Sequence, residues 1–150
     1  MDITAWLSVV SIVISLGAAT FSGFSYWLNR KMGHASIESS IATSISDSKI
    51  QSQTTGLEYF KIKESPESSE QLIEVYRLAF DSSKENYLNQ YELACQKYVD
   101  GKVDKKRFKK SYSQALYELY INPEYKEIFD AKKLSYPSLR KLVTEFHNQA

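Results

Sequence analysis

A single cysteine, Cys95, stands in a chain of 150 residues. That excludes an internal disulfide framework, and a lone thiol in a helical context fits a reducing compartment. The only histidines, His34 and His147, lie far apart, and neither has a companion at metal-ligand spacing. This disfavours a zinc site and a histidine-dependent triad. The five glycines form no phosphate-binding loop. Charge of one sign is also lacking: 19 Lys and Arg against 18 Asp and Glu leave +1. Nucleic-acid binders are usually strongly basic, so nucleic acid is not the expected main partner. No catalytic, cofactor or metal motif stands out, and the expectation is a non-enzymatic protein without a cofactor.

Charge is absent altogether from Ile3 to Leu28. As a helix this stretch extends about 39 Å, more than the ~30 Å hydrocarbon core of a bilayer. Both tryptophans of the chain, Trp6 and Trp27, sit near its ends. Their separation along a helix is about 31 Å, which matches the two interfacial aromatic belts. Residues 3–28 are therefore expected to form one transmembrane helix. A cleaved signal peptide fits poorly, because the leading residues are Met1 and Asp2 rather than basic ones. Asp2 precedes the stretch, while Arg30 and Lys31 follow it. The positive-inside rule then predicts a single-pass protein of the bacterial inner membrane type, N-terminus outside and C-terminal domain cytosolic.

Small residues recur inside the stretch. Ser8, Ser11, Ser15, Ala18, Ser22 and Ser25 follow alternating steps of three and four, and Asn29 continues the series. Such a seam lets helix backbones approach and hydroxyls bond across a left-handed contact. Bulky Ile12, Ile14, Leu16 and Phe21 lie largely off it. The expected partner is a second copy or another protein's membrane helix. Serine hydroxyls can alternatively bond back to their own helix. No ionisable residue lies in the stretch, which disfavours proton relay through this helix alone.

Residues 29–63 are expected to be a polar linker or stalk. The segment is rich in serine, and Ile37, Ile41 and Ile45 recur at helical spacing, with Ile50 out of step. The reading favours a stalk only partly ordered outside an oligomer. Gly56–Lys63 reads equally as a short strand or a helix end.

Residues 64–150 are expected to form a three- or four-helix bundle, which makes the chain all-α. Ser65-Pro66-Glu67 reads as a cap and first turn for a helix over 67–99, with a possible break at Asp81-Ser82-Ser83. Asp100-Gly101 ends it. Asp104 caps a second helix, 105–121; Pro123 and Pro137 open two more, 123–133 and 137–148. Eleven tyrosines occur in the chain, all but Tyr26 beyond residue 58. Most are expected in packing, and an exposed cluster would mark a surface for a cytosolic protein partner.

Asp100-Gly-Lys-Val-Asp104 faintly resembles a calcium loop, but alignment on Gly101 puts Gln96, Tyr98 and Arg107 where ligands belong. A capped turn explains these residues. Lys102, Lys105, Lys106, Arg107, Lys109 and Lys110 form a basic run. It predicts a solvated face or pairing with the acidic stretch 64–95, and alternatively an anionic-lipid or nucleic-acid contact.

The segment Tyr91-Glu-Leu-Ala-Cys-Gln-Lys-Tyr-Val-Asp-Gly-Lys-Val-Asp104, followed by Phe108, resembles the cytosolic part of small uncharacterised bacterial membrane proteins with one N-terminal span and a short helical tail. Some of those accompany phage-defence or mobile-element genes. The resemblance implies no catalytic residue. The leading expectation is a membrane-anchored, oligomeric helical interaction module. The alternatives are a membrane-perturbing or pore-forming effector, as in phage defence, and a phosphate-binding tail using the basic run.

Overall fold

The computed structural model describes residues 3–131 and 135–147. Among them every regular element is an α-helix and no strand occurs. The helices are α1 (Ile3–Glu64), α2 (Glu70–Val99), α3 (Lys105–Ile121), α4 (Pro123–Ala131) and α5 (Pro137–His147). The chain divides into two units, the first ending at Ser36 and the second beginning at Ile37.

α1 meets no proline until Pro66, which lies just beyond its end. Proline pushes the preceding residue out of helical geometry, so the chain turns at Ser65. The Ser65 N–H donates to the Ile62 carbonyl (3.2 Å) and the Ser68 N–H to that of Ser65 (3.2 Å). α2 therefore starts at Glu70 rather than 67. Its cap is Ser69, not Ser65: the Ser69 Oγ accepts the Leu72 N–H at 3.2 Å. No break occurs at Asp81-Ser82-Ser83. The Ser83 hydroxyl donates to the Phe80 carbonyl at 2.7 Å and lies 2.6 Å from the Thr55 hydroxyl of α1, so its polarity is used between helices.

α2 ends where expected. Gly101 has φ 69°, and the Gly101 and Lys102 N–H groups donate back to the Tyr98 and Lys97 carbonyls (3.1 and 2.9 Å). This is a Schellman closure, which needs a residue at ease in the left-handed region. Asp104 caps α3, its Oδ1 accepting the Arg107 N–H at 2.9 Å. Asn122 Oδ1 accepts the Glu124 N–H at 3.0 Å as α4 begins. α4 and α5 start at their expected prolines; the expected ends at 133 and 148 lie outside the described residues. Tyr136, before Pro137, has φ 63°, a strained conformation for a non-glycine residue. Its buried ring packs on Phe129, with centroids 5.5 Å apart.

In the unit from Ile37 onward, one hydrophobic core draws on every helix. Ile41 and Ile45 come from α1, Leu88 and Cys95 from α2, and Phe108 and Leu116 from α3. Phe129 comes from α4, and Leu139, Leu142 and Phe146 from α5. α5 packs against both α2 and α3, and α4 against α3.

Residues 29–63 differ most from expectation. They are helical throughout in a single chain, and Gly56–Lys63 is helix rather than strand. From Ile37 this helix packs on the chain's own core. Ile41 and Ile45 are joined on that face by buried Ser48 and Ser52, small enough for close helix approach. The Ser48 hydroxyl is satisfied by the Ile45 carbonyl at 3.0 Å. At Gly56 a Cβ would lie 2.9 Å from the Phe80 ring, so a larger residue there must push that ring aside.

Candidate interaction surfaces

Within the first unit, α1 is apolar and uncovered. It is the one helix among the described residues long and apolar enough to cross a membrane, and none of its most apolar window is buried. Trp6 and Trp27 are more than half exposed. The Lys31 ammonium sits over the Trp27 ring at 4.9 Å, and Phe24 lies 6.1 Å from the same ring. Arg30 is exposed beside them. This places a cationic and an aromatic group together at the end of the apolar run, the chemistry of a headgroup interface.

Ser8, Ser11, Ser15, Ala18 and Ser22 are exposed on α1, and Ser25 is half-buried. Thr20, off the seam, bonds back to the carbonyls of Leu16 and Gly17 (3.0 and 2.9 Å). Among the described residues, no hydrogen bond engages the hydroxyls of Ser11, Ser15, Ser22 or Ser25. A hydroxyl without a partner is costly in an apolar medium and satisfied in water.

The basic run lies at the start of α3 and is largely engaged by its own chain. Arg107 pairs with Glu38 of α1 at 3.2 Å, and Lys102 lies 3.5 Å from Asp100. The Lys105 and Lys109 ammonium groups sit 5.3 Å from the centres of the Tyr98 and Phe146 rings. Lys106 and Lys110 are exposed, with no ion-pair partner among the described residues. In the acidic stretch 64–95, Glu74 and Asp81 pair with Arg77 on the same helix, at 2.6 and 3.0 Å. The Arg77 guanidinium hydrogen-bonds Glu74 and holds its carboxyl below the ordinary value.

Two carboxylates invisible to pattern reading join distant parts of the chain. Glu38 Oε1 accepts the Asp104 N–H at 2.9 Å, fastening the start of α3 to α1. Glu92, 8% exposed, reaches from α2 to the start of α5, where its carboxylate accepts the Ser138 and Leu139 N–H groups at 3.0 and 2.8 Å. Neither has a local signature, because each partner lies dozens of residues away.

Most tyrosines beyond residue 58 are buried or half-buried; Tyr120 is exposed. The Tyr87 and Tyr91 hydroxyls lie 3.4 Å apart. Burial pushes the Tyr91 phenol well above its ordinary value and that of Tyr125 up to about 12. An open groove of about 670 Å³ runs between α1, α2 and the α3–α4 corner, walled by Leu57, Phe60, Phe80, Leu119 and Tyr125.

Reactive groups are not assembled. Cys95 is fully buried, and burial pushes its thiol far up, with Glu92 adding to the shift. A thiol so protonated is a poor nucleophile. The His147 ring packs on Tyr117 with centroids 3.7 Å apart. Among the described residues no three His, Cys, Asp or Glu side chains are placed to hold a metal ion. No family model, curated protein or solved structure matches this chain.

Proposed function

We propose that this protein is a single-span membrane anchor carrying a cytosolic helical bundle, and that it works as an oligomeric interaction module. One observation carries the reading: an uncovered apolar helix with outward hydroxyls spaced in steps of three and four. The span supplies the address, the seam supplies assembly, and the bundle built from Ile37 onward presents surfaces to a cytosolic protein. The burial of Cys95 takes its thiol out of reach of a substrate.

The test is a cysteine-crosslinking scan of residues 7–28 in native membranes, in a Cys95→Ser background. Dimer yield is expected to peak at positions 8, 11, 15, 18, 22 and 25. A flat profile removes self-association through the span, and recovery of the chain in the soluble fraction removes the anchor itself. The same membranes loaded with dye test the effector alternative: leakage upon assembly would turn the module into a membrane-perturbing protein.

A second reading is favoured by Lys106 and Lys110, exposed and without ion-pair partners among the described residues. Two such cations one helical turn apart suit an anionic headgroup. In reconstituted vesicles, anionic lipid should protect Lys106 and Lys110 from amine labelling, whereas neutral lipid should not.

A further inference from the structure

Beyond Ile37, α1 carries two seven-residue registers. Ile41, Ile45, Ser48, Ser52 and Thr55 face the chain's own core, all buried or half-buried. Thr43, Ser46, Ile50, Gln53, Leu57 and Phe60, alternately two positions and one position further on, form a second register, all exposed. The mean offset amounts to about 150° around a helix, so the second register lies on the far side from the first. It carries large apolar groups: Ile50 is 58% exposed, Leu57 65% and Phe60 50%. Helix surfaces facing only water have no reason to keep three such residues in one register.

The phase of that register identifies its occupant. Counting back from Thr43 by alternating fours and threes passes Ser39, Ser36, Met32 and Asn29 and lands on Ser25, Ser22 and Ala18. No stutter intervenes between the solvent-facing register and the membrane seam. An unrelated face would share that phase about one time in seven. We propose that the Thr43–Phe60 face docks against the same face of a second, parallel copy of this chain. The proposal rests on the reading that the span anchors and self-associates.

Copies held by the same span in one membrane are parallel and at matched depth, so Ile50 meets Ile50, Leu57 meets Leu57 and Phe60 meets Phe60. The flanking cross-pairs of such a dimer are Ala42 with Asp47, Lys49 with Thr54, and Gly56 with Lys61. None opposes like charges, which would forbid the arrangement. The next position of the register is Glu64, the last residue of α1. Facing carboxylates there would repel, so the contact runs from Thr43 to Phe60 and ends before the last residue of the helix. Leu57 and Phe60 also wall the open groove beside α3 and α4, which leaves room for a partner helix along its mouth.

The experiment uses the full chain in membranes, in a Cys95→Ser background, with a short thiol crosslinker. On-register variants are Ser46→Cys, Ile50→Cys, Gln53→Cys, Leu57→Cys and Phe60→Cys. Off-register controls are Gln51→Cys and Glu58→Cys, both exposed and outside the paired flanks. Dimer yield on register is expected at about five times the off-register yield, given the periodic contact of a parallel coil. Equal yields, or a maximum off register, overturn the proposal. Crosslinks in the 8–25 scan without any at 46–60 also overturn it while leaving the membrane seam standing. Crosslinks at 46–60 without any in the span sustain the docking face and remove the seam. Silence in both scans removes both.

Discussion

Removing the Glu92 carboxylate should loosen α5 from the core. Pro137 has no N–H, so the first free donors of α5 are Ser138 and Leu139, and both are held by Glu92 at 3.0 and 2.8 Å. The Gln96 amide steadies the same carboxylate at 3.3 Å. Glu92→Ala strands the Leu139 N–H beside a fully buried side chain and leaves the helix start without its negative charge. Bonds to charged groups are worth about 1.5–3 kcal/mol each, and a lost cap typically costs about 1 kcal/mol. Partial rehydration of the Ser138 end brings the expected total to about 3 kcal/mol. For a unit of this size that corresponds to a fall in Tm of about 12 °C. Glu92→Gln keeps one acceptor oxygen and should lose about half as much. The assay is thermal unfolding of the full chain in detergent, followed by tyrosine absorbance and circular dichroism. Melting of Glu92→Ala within about 2 °C of the parent, the range of a neutral surface change, would refute the capping argument.

Gly56→Ala should cost about 1–2 kcal/mol by overpacking against Phe80. Gly33→Ala, where nothing lies within 4 Å, should be neutral or slightly stabilising; equal denaturant midpoints for the two variants would sink the contrast. Cys95 should resist maleimide in the native protein at pH 8 and react only on unfolding, so fast native labelling would contradict its burial. The raised phenol of Tyr125 predicts stability unaffected below pH 10 and lost progressively between 10 and about 12, where the unfolded chain deprotonates and the folded one resists. Stability flat across that window, with Tyr125→Phe indistinguishable from the parent, would contradict it.

Local chemistry was the legible part of this chain. Asp104, Gly101, Pro123 and Pro137 mark helix boundaries because each acts within a few residues of itself, and α3 begins and ends where they indicate. Ser65 misled for an equally local reason: Ser65, Ser68 and Ser69 all precede Glu70, and the one before Pro66 belongs to the turn rather than the cap. The serine-rich part of α1 was illegible because Ser48 and Ser52 are buried for their small size, not for hydrophobicity. The basic run shows its charge in the sequence but not the Tyr98 and Phe146 rings under Lys105 and Lys109, which only folding brings there. The partners of Glu38 and Glu92 are hidden from the sequence for the same reason.

The core is completed by α5, whose Leu139, Leu142, Val143 and Phe146 come last among its contributors in chain order. Synthesis at about 5–20 residues per second delivers them some 6–24 s after Leu28 leaves the ribosome. Through that interval the apolar start of α1 is available to a bilayer, while α2 and α3 have no α5 to close against. Until the N–H groups of Ser138 and Leu139 arrive, the Glu92 carboxylate lacks the partners it has in the folded unit. The order of translation thus makes the last helix the one that closes the core of this unit.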